Sequence, residues 1–530
     1  MGRGWPEGRA CSLWFARMNK RTTFRGGMCR HLAAAVGGIL MVSGCAGSGG
    51  GQKAAADPVA VLKTPSSTER AQRDAVEAIW AAGQVGPQER RTARERLKDL
   101  VWGPQYPLKV RVQAMDLLLL DAADLGQSDT RNSLRLRLPL ERDEEMVRAI
   151  AERAAAGGWK EFIPGLVRSW SRPSPREDSQ RPERAALAAL GGGRPVEEVV
   201  LEVFVSQGPD GSGPEAAERG QRARRAAWEL LGRLDASGEM RTRALAANTA
   251  GGDAMVEHVR AAARDLGCVP VTGEQLEWLE QLRDFSAADG AARRAWWEQV
   301  RGVVAGLSTE QRAGLALRHA EPVRWAAEHQ PTWLAMGREQ LLDELAGRLK
   351  GRETVERSGT GVAADSQGIP ESLSWWRKRM AWGDALSVLV LDEALKTPGL
   401  GGVLWKQSEE DRADGSTEYG GLLEGVAGSR AARATLFKPR GTQRFGDERF
   451  VAPETMMRAG GYALAVYHFH AQKVSNREYA GPGPGDSEFA NNHGRNCLVV
   501  TPVGPGRLNV DFFQPGGVRL DLGLLRSTER

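Results

Sequence analysis

The 530 residues include seven histidines, two of which stand as His468-Phe469-His470 at the end of an apolar run that begins at Tyr462. In a strand, the period of two puts both imidazoles on one side. Two neutral imidazoles and one carboxylate make three ligands and leave a fourth position for water, the arrangement that catalytic zinc requires. Candidate carboxylates bracket the pair. Asp486 follows Gly481-Pro-Gly-Pro-Gly485, where a loop opens a helix, and Glu418 precedes Tyr419-Gly-Gly at the start of a strand. Zinc lowers the pKa of water from 15.7 to about 7, and a neighbouring carboxylate then shuttles the proton at neutral pH. The plain alternatives are an N-cap for Asp486, an edge charge for Glu418 and satisfied polar tips for both histidines. His493 reads either as a spare ligand or as the end of the helix, where a cation is favoured.

The elements that must position these groups are short. Residues 419–426, 433–438, 462–470, 497–501, 508–513 and 518–522 are apolar or alternating runs bounded by Gly and Pro, which predicts strand texture from Gly399 onward. Ser372 to Lys396 predicts one or two helices, with Trp375, Trp376 and Trp382 on one buried face. Residues 371–530 are therefore expected to be α+β.

The order of these features resembles the JAMM/MPN (Mov34-like) metalloprotease family over about 416–515: Glu418 before Gly420-Gly421-Leu422-Leu423, His-x-His closing a strand, Asp486 opening a helix, then a strand ending Thr501-Pro502. The resemblance implies that His468, His470 and Asp486 hold Zn²⁺, and that Glu418 takes a proton from water at the metal and passes it to the leaving amine. Three departures stand against the family pattern. Ala471 replaces the usual Pro, Gly483 the usual Ser, and the His-to-Asp gap holds extra residues around Ser475-Asn476-Arg477. The missing hydroxyl is a usual oxyanion helper, so it bears on turnover more than on metal binding. Other motifs fail: a cupin needs Glu near Val474 and a further His-bearing strand, Gly485-Asp486-Ser487 lacks the Asp-x-x-His of a GDS-type esterase, and loop 481–485 has no phosphate-binding Lys.

From 67 to 350, Ala, Leu, Arg, Glu and Trp recur at helical spacing, with turn signals every 15–20 residues. An Arg-x-x-Ala pattern repeats at Arg111, Arg148, Arg224 and Arg260, with a looser copy at Arg184, in steps of 37, 36, 40 and 36 residues. The period resembles HEAT-like repeats. That implies stacked helix pairs in which each Arg reaches the carbonyls or carboxylates of the repeat before it, and a surface for a protein or peptide partner. Residues 351–370 have the composition of a linker.

Residues 1–44 read as a bacterial lipoprotein signal peptide: basic residues, the apolar run His31 to Val42, then Val42-Ser43-Gly44-Cys45, which resembles a lipobox. Cys45 would carry the lipid anchor, with translation starting at Met1, Met18 or Met28. Residues 45–66 then form a flexible tether, and the protein is held to the periplasmic or outer face of a bacterial membrane. The net charge of +5 resides in this leader, whose seven basic residues and one acidic residue leave −1 for the rest, so no basic footprint for nucleic acid remains. Cys268 and Cys497 allow one disulfide at most. The chain is thus expected to be multidomain, an all-α HEAT-like solenoid (67–350) followed by an α+β JAMM-like domain (371–530). Two functions fit: a membrane-anchored zinc-dependent peptidase or isopeptidase, or a non-catalytic envelope adaptor with a degenerate JAMM-like domain.

Overall fold

Apolar positions at helical spacing condense into a succession of short helices, from Glu69–Ala82 to Arg338–Leu349. The computed structural model describes residues 57–121, 124–206, 213–235, 237–246, 252–355, 370–446 and 449–527. Helix starts are set by side-chain caps: oxygens of Thr68, Asp143, Asp253, Thr272 and Ser308 accept backbone N–H groups two or three residues on. Each such cap is worth about 1 kcal/mol. Trp170, Trp228, Trp297 and Trp325 are fully buried between helices, and at about 25 cal/mol per Å² each contributes roughly 4–6 kcal/mol before ordering costs.

Three of the repeated arginines do the same job. Arg111 Nε donates to the Val101 carbonyl (2.9 Å), Arg224 Nε to Phe204 (2.6 Å) and Arg260 Nε to Leu245 (2.6 Å). Each carbonyl lies in the last turn of the preceding helix, where it has no partner within that helix. Arg111 and Arg224 also form ion pairs with Glu141 and Asp253, the latter capping helix Ala254–Ala261, two helices further on. Arg148 and Arg184 differ. Arg148 pairs at the surface with Glu145 of its own helix, and Arg184 meets Glu197 at 3.3 Å. Three residues before Arg184, Arg181 takes over the carbonyl contact, donating to Ser169 O at 3.0 Å.

Beyond Pro370 come helices Leu373–Trp376, Trp382–Leu395 and Leu400–Arg412. Trp376 and Trp382 are buried but Trp375 is 56% exposed, because adjacent residues of a helix point about 100° apart and cannot share one face. The helix at 400–412 occupies a stretch expected to be strand-like. Its Gly401 serves close packing rather than a turn: a Cβ there would lie 2.2 Å from the Arg526 carbonyl oxygen.

Six strands follow, close to the expected runs: β1 Gly420–Gly425, β2 Ala432–Phe437, β3 Ala465–Phe469, β4 Cys497–Gly504, β5 Arg507–Phe513 and β6 Arg519–Arg526. They form one mixed sheet in the order β2-β1-β3-β4-β5-β6, in which β3 and β4 are parallel and the other pairs antiparallel. One face, with Leu423, Tyr467, Phe469, Val500 and Phe512, joins the large core that includes helix Trp382–Leu395, of which only Glu393 is not buried. The opposite face carries a small apolar cluster of Leu422, Val466, Cys497, Val499 and Phe513. His468 lies on that second face.

Residues 58–530 make one compact unit. Asp384 accepts from Arg318 and His319 Nε2 (both 2.9 Å), Asn496 Nδ2 donates to Arg318 O (3.0 Å), and Trp278 Nε1 donates to Gly461 O (3.2 Å). At the start of the expected linker, Arg352 and Val355 bond to β6. Pro58–Lys63, inside the expected tether, is a short helix with Leu62 buried. Cys45, the rest of the leader, and residues 356–369 lie outside the described residues. Cys268 and Cys497 are free, buried thiols, so the one disulfide the sequence allowed does not form. Among the described residues no helix is long and apolar enough to cross a membrane.

Candidate metal centre

The pleat of β3 sends His468 to the sheet's second face, where Phe450 stacks parallel to its ring at 5.2 Å and Phe513 meets it edge-on at 6.2 Å. Gly420 is its neighbour on β1. A Cβ at Gly420 would fall 2.5 Å from the Phe450 ring, so glycine lets that ring lie against His468. His470 follows the end of β3, with its Nε2 3.2 Å from that of His468. Its Nδ1 faces the Tyr479 carbonyl oxygen at 2.7 Å. A carbonyl only accepts, so Nδ1 carries the hydrogen and Nε2 of the neutral ring presents its lone pair to His468 and the cleft.

Asp486 reaches the pair from the crossover between β3 and β4. It sits in the first turn of helix Pro484–His493, with Oδ1 3.1 Å from His468 Nε2 and Oδ2 3.6 Å from His470 Nε2. Oδ2 also accepts the Gly483 N–H at 2.6 Å, so Asp486 caps the helix and faces the histidines at once. Glu418, buried just before β1, brings its carboxylate within 4.8 Å of donor nitrogens on both imidazoles. All four residues singled out from the sequence line one cleft of about 750 Å³, together with Gln472, Tyr479 and Gly483.

The electrostatics match this packing. Burial disfavours the charged imidazole of His468, but the Asp486 carboxylate, aided by Glu418 and Asp411, outweighs it and raises the pKa. Burial likewise pushes Asp486 up, while His468, His470 and the Gly483 N–H pull it well below the usual carboxylate range. The carboxylate is therefore ionised and any proton rests on the imidazoles. His493 ends its helix as expected but is no cation: burial, with the charge of Arg495, lowers its pKa to about 4.

The donor set fits zinc. Ligands about 2.0–2.1 Å from a tetrahedral ion lie about 3.3 Å from one another, and the two Nε2 atoms are already 3.2 Å apart. His468, His470 and a carboxylate could hold the ion, and the Tyr479 carbonyl gives His470 the second partner that metal-binding histidines use. Sequence reasoning missed Tyr479, Gln472, Phe450 and Asn476. Gln472, two residues past His470, carries the period-two signal that could have found it. The other three come from loops. The extra residues around Ser475 fold into the turn Arg477–Tyr479, which delivers the Tyr479 carbonyl to His470.

Compared with known proteins, the chain matches no family model, no curated protein and no solved structure.

Proposed function

We propose that this protein is a zinc-dependent peptidase or isopeptidase of the JAMM-like type, with HEAT-like repeats that recruit a protein or peptide partner and a lipid anchor at Cys45 that holds it to the bacterial envelope. The observation that carries this reading is the meeting of two imidazoles with carboxylates from two different elements, Asp486 and Glu418, at the wall of one cleft. The repeat reading is supported by the shared carbonyl contacts of Arg111, Arg224 and Arg260.

In this reading His468, His470 and Asp486 hold the ion, which supplies Lewis acidity and an acidified water. Glu418 takes the proton of the attacking water and delivers it to the leaving nitrogen. Phe450 and Phe513 fix the ring of His468, and Tyr479 fixes the tautomer of His470. A second reading, a non-catalytic envelope adaptor, is favoured by Gly483, which offers no hydroxyl to the oxyanion.

The test is metal content by mass spectrometry on the full chain beside the His468→Ala/His470→Ala variant. The expected result is about one equivalent of zinc in the wild type and none in the variant. A wild type that stays metal-free when zinc is supplied overturns the hydrolase reading and leaves the adaptor.

A further inference from the structure

We infer that the cavity of about 630 Å³ beside the metal cleft seats an acidic side chain of a bound polypeptide, with Arg495 and Arg168 supplying the counter-charge. That the polypeptide is a substrate rests on the hydrolase reading above. The cavity is lined by helices Pro214–Leu234 and Gly273–Arg283 and by the end of helix Pro484–His493, and His493 is a wall of both this cavity and the metal cleft.

Arg495 is a buried cation without an anion. It is 5% exposed, its guanidinium lies over the Trp278 ring at 3.4 Å, and its Nη1 donates to the Gly460 carbonyl at 2.7 Å. Its Nε has no acceptor, and among the described residues no carboxylate pairs with it. Burial accordingly lowers its pKa to about 9. A buried charge is costly unless an opposite charge and further hydrogen bonds compensate it, and one ring and one carbonyl do so only in part. Arg168, on another wall, also has no ion pair among the described residues. Burial and the like charges of Arg222, Arg219 and Arg172 lower its pKa, with Glu218 opposing them.

The glutamates of the same cavity are engaged. Glu218, Glu277 and Glu454 each have an arginine of their own, Glu229 accepts the Gly273 N–H at 3.0 Å, and Glu274 meets His493 at 3.4 Å on the exposed rim. Two positive charges are left over, and a carboxylate answers them because its two oxygens match the planar N–H groups of a guanidinium. A small anion fills only one of the two cavities that share His493, whereas a polypeptide occupies both. From Asp486 to His493 the helix runs about 10 Å. An extended chain covers that length in about three residues, which places the recognised acidic residue that far from the bond held at the metal centre.

The experiment is fluorescence anisotropy of the full chain with two fluorescein-labelled nonapeptides, one of glycine with glutamate at every third position and one with glutamine in its place. Zinc content is measured in parallel. The wild type is expected to bind the glutamate peptide about tenfold more tightly than the glutamine peptide. Arg495→Met keeps an apolar contact with Trp278 and should bring the two affinities within about twofold, and Arg168→Gln, on the less buried wall, should cut the preference to about threefold. Arg148→Ala removes an equal charge from the helical surface and should leave the preference unchanged, and all three variants should keep the wild-type zinc content. Equal affinity of the wild type for both peptides overturns the inference. So does a full preference in the folded Arg495→Met and Arg168→Gln variants, or a drop in Arg148→Ala as large as theirs. If Arg495→Met does not fold, Arg168→Gln decides. A wild type that holds no zinc and still prefers the glutamate peptide overturns the hydrolase reading and keeps the cavity as the seat of an acidic segment.

Discussion

Arg224 in the helical part and His468 on the sheet are both buried ionisable side chains, and their surroundings answer them in opposite ways. Arg224 has a carbonyl on one edge and the buried carboxylate of Asp253 on another. Its charge is matched on the spot, and what it joins is the end of helix Val196–Val205 to the start of helix Ala254–Ala261. His468 shares its carboxylate with a second imidazole 3.2 Å away, and the whole group borders a cleft. Two imidazoles and a carboxylate face one another there within 3.1–3.6 Å. The contrast separates buried charge that closes a fold from buried charge that leaves a valence for chemistry.

Breaking the first kind should be costly. Arg224→Ala leaves Asp253 buried without its ion-pair partner, and unfolding of the full chain in denaturant should show a loss of about 3–5 kcal/mol. A loss below about 1 kcal/mol would mean that the buried pair is not holding the repeat together.

Acid should sharpen the contrast within the sheet part. His493, lowered to about 4, binds a proton less readily folded than unfolded, so its contribution is present above about pH 6.5 and is lost as pH falls towards 4. His468 is raised, so in the metal-free protein its contribution is full below about 6.5 and fades as pH rises through its folded pKa. Unfolding measured at pH 7 and pH 4.5 without metal should therefore show a smaller acid loss for His493→Asn, by about 1–2 kcal/mol, and a larger one for His468→Asn. Parallel profiles for the two variants would contradict the opposite environments assigned to them.

The smallest effect should come from a repeat position that looks identical in sequence. Arg148 stands where Arg111 and Arg224 stand in their copies, yet its side chain is 35% exposed and pairs with Glu145 one turn back. Arg148→Ala should cost about 0.5 kcal/mol or less in the same denaturation assay. A cost near that of Arg224→Ala would show that the position, rather than the burial, carries the energy.

Much of this was legible before folding, for local reasons. Alternation in 462–470 fixes which side the two histidines share, Gly and Pro lie close to most of the strand ends, and the 36–40-residue period announces repeated helices. The helix at Leu400–Arg412 was not legible, because its Gly401-Gly402 reads as a turn until β6 is present to pack against it. For the same reason the equivalence of the five arginines was overdrawn: a period shows recurrence, whereas burial depends on the neighbouring helix.

The residue types of the centre, the shared side of His468 and His470 and a helix start close to Asp486 were determined by the sequence alone, since each follows from a period or a turn within a few residues. Only the tertiary structure decided that Glu418 stands beside them, because that depends on the pairing of Gly420 with His468 across β1 and β3. It also decided that the parallel crossover from β3 to β4 carries Asp486 back over the sheet, and that Asn476 turns Gln472 towards Glu418. Those contacts join residues up to 68 apart in the chain, from Glu418 to Asp486. Register and crossover set which of them meet, and neither is written in any short stretch of residues.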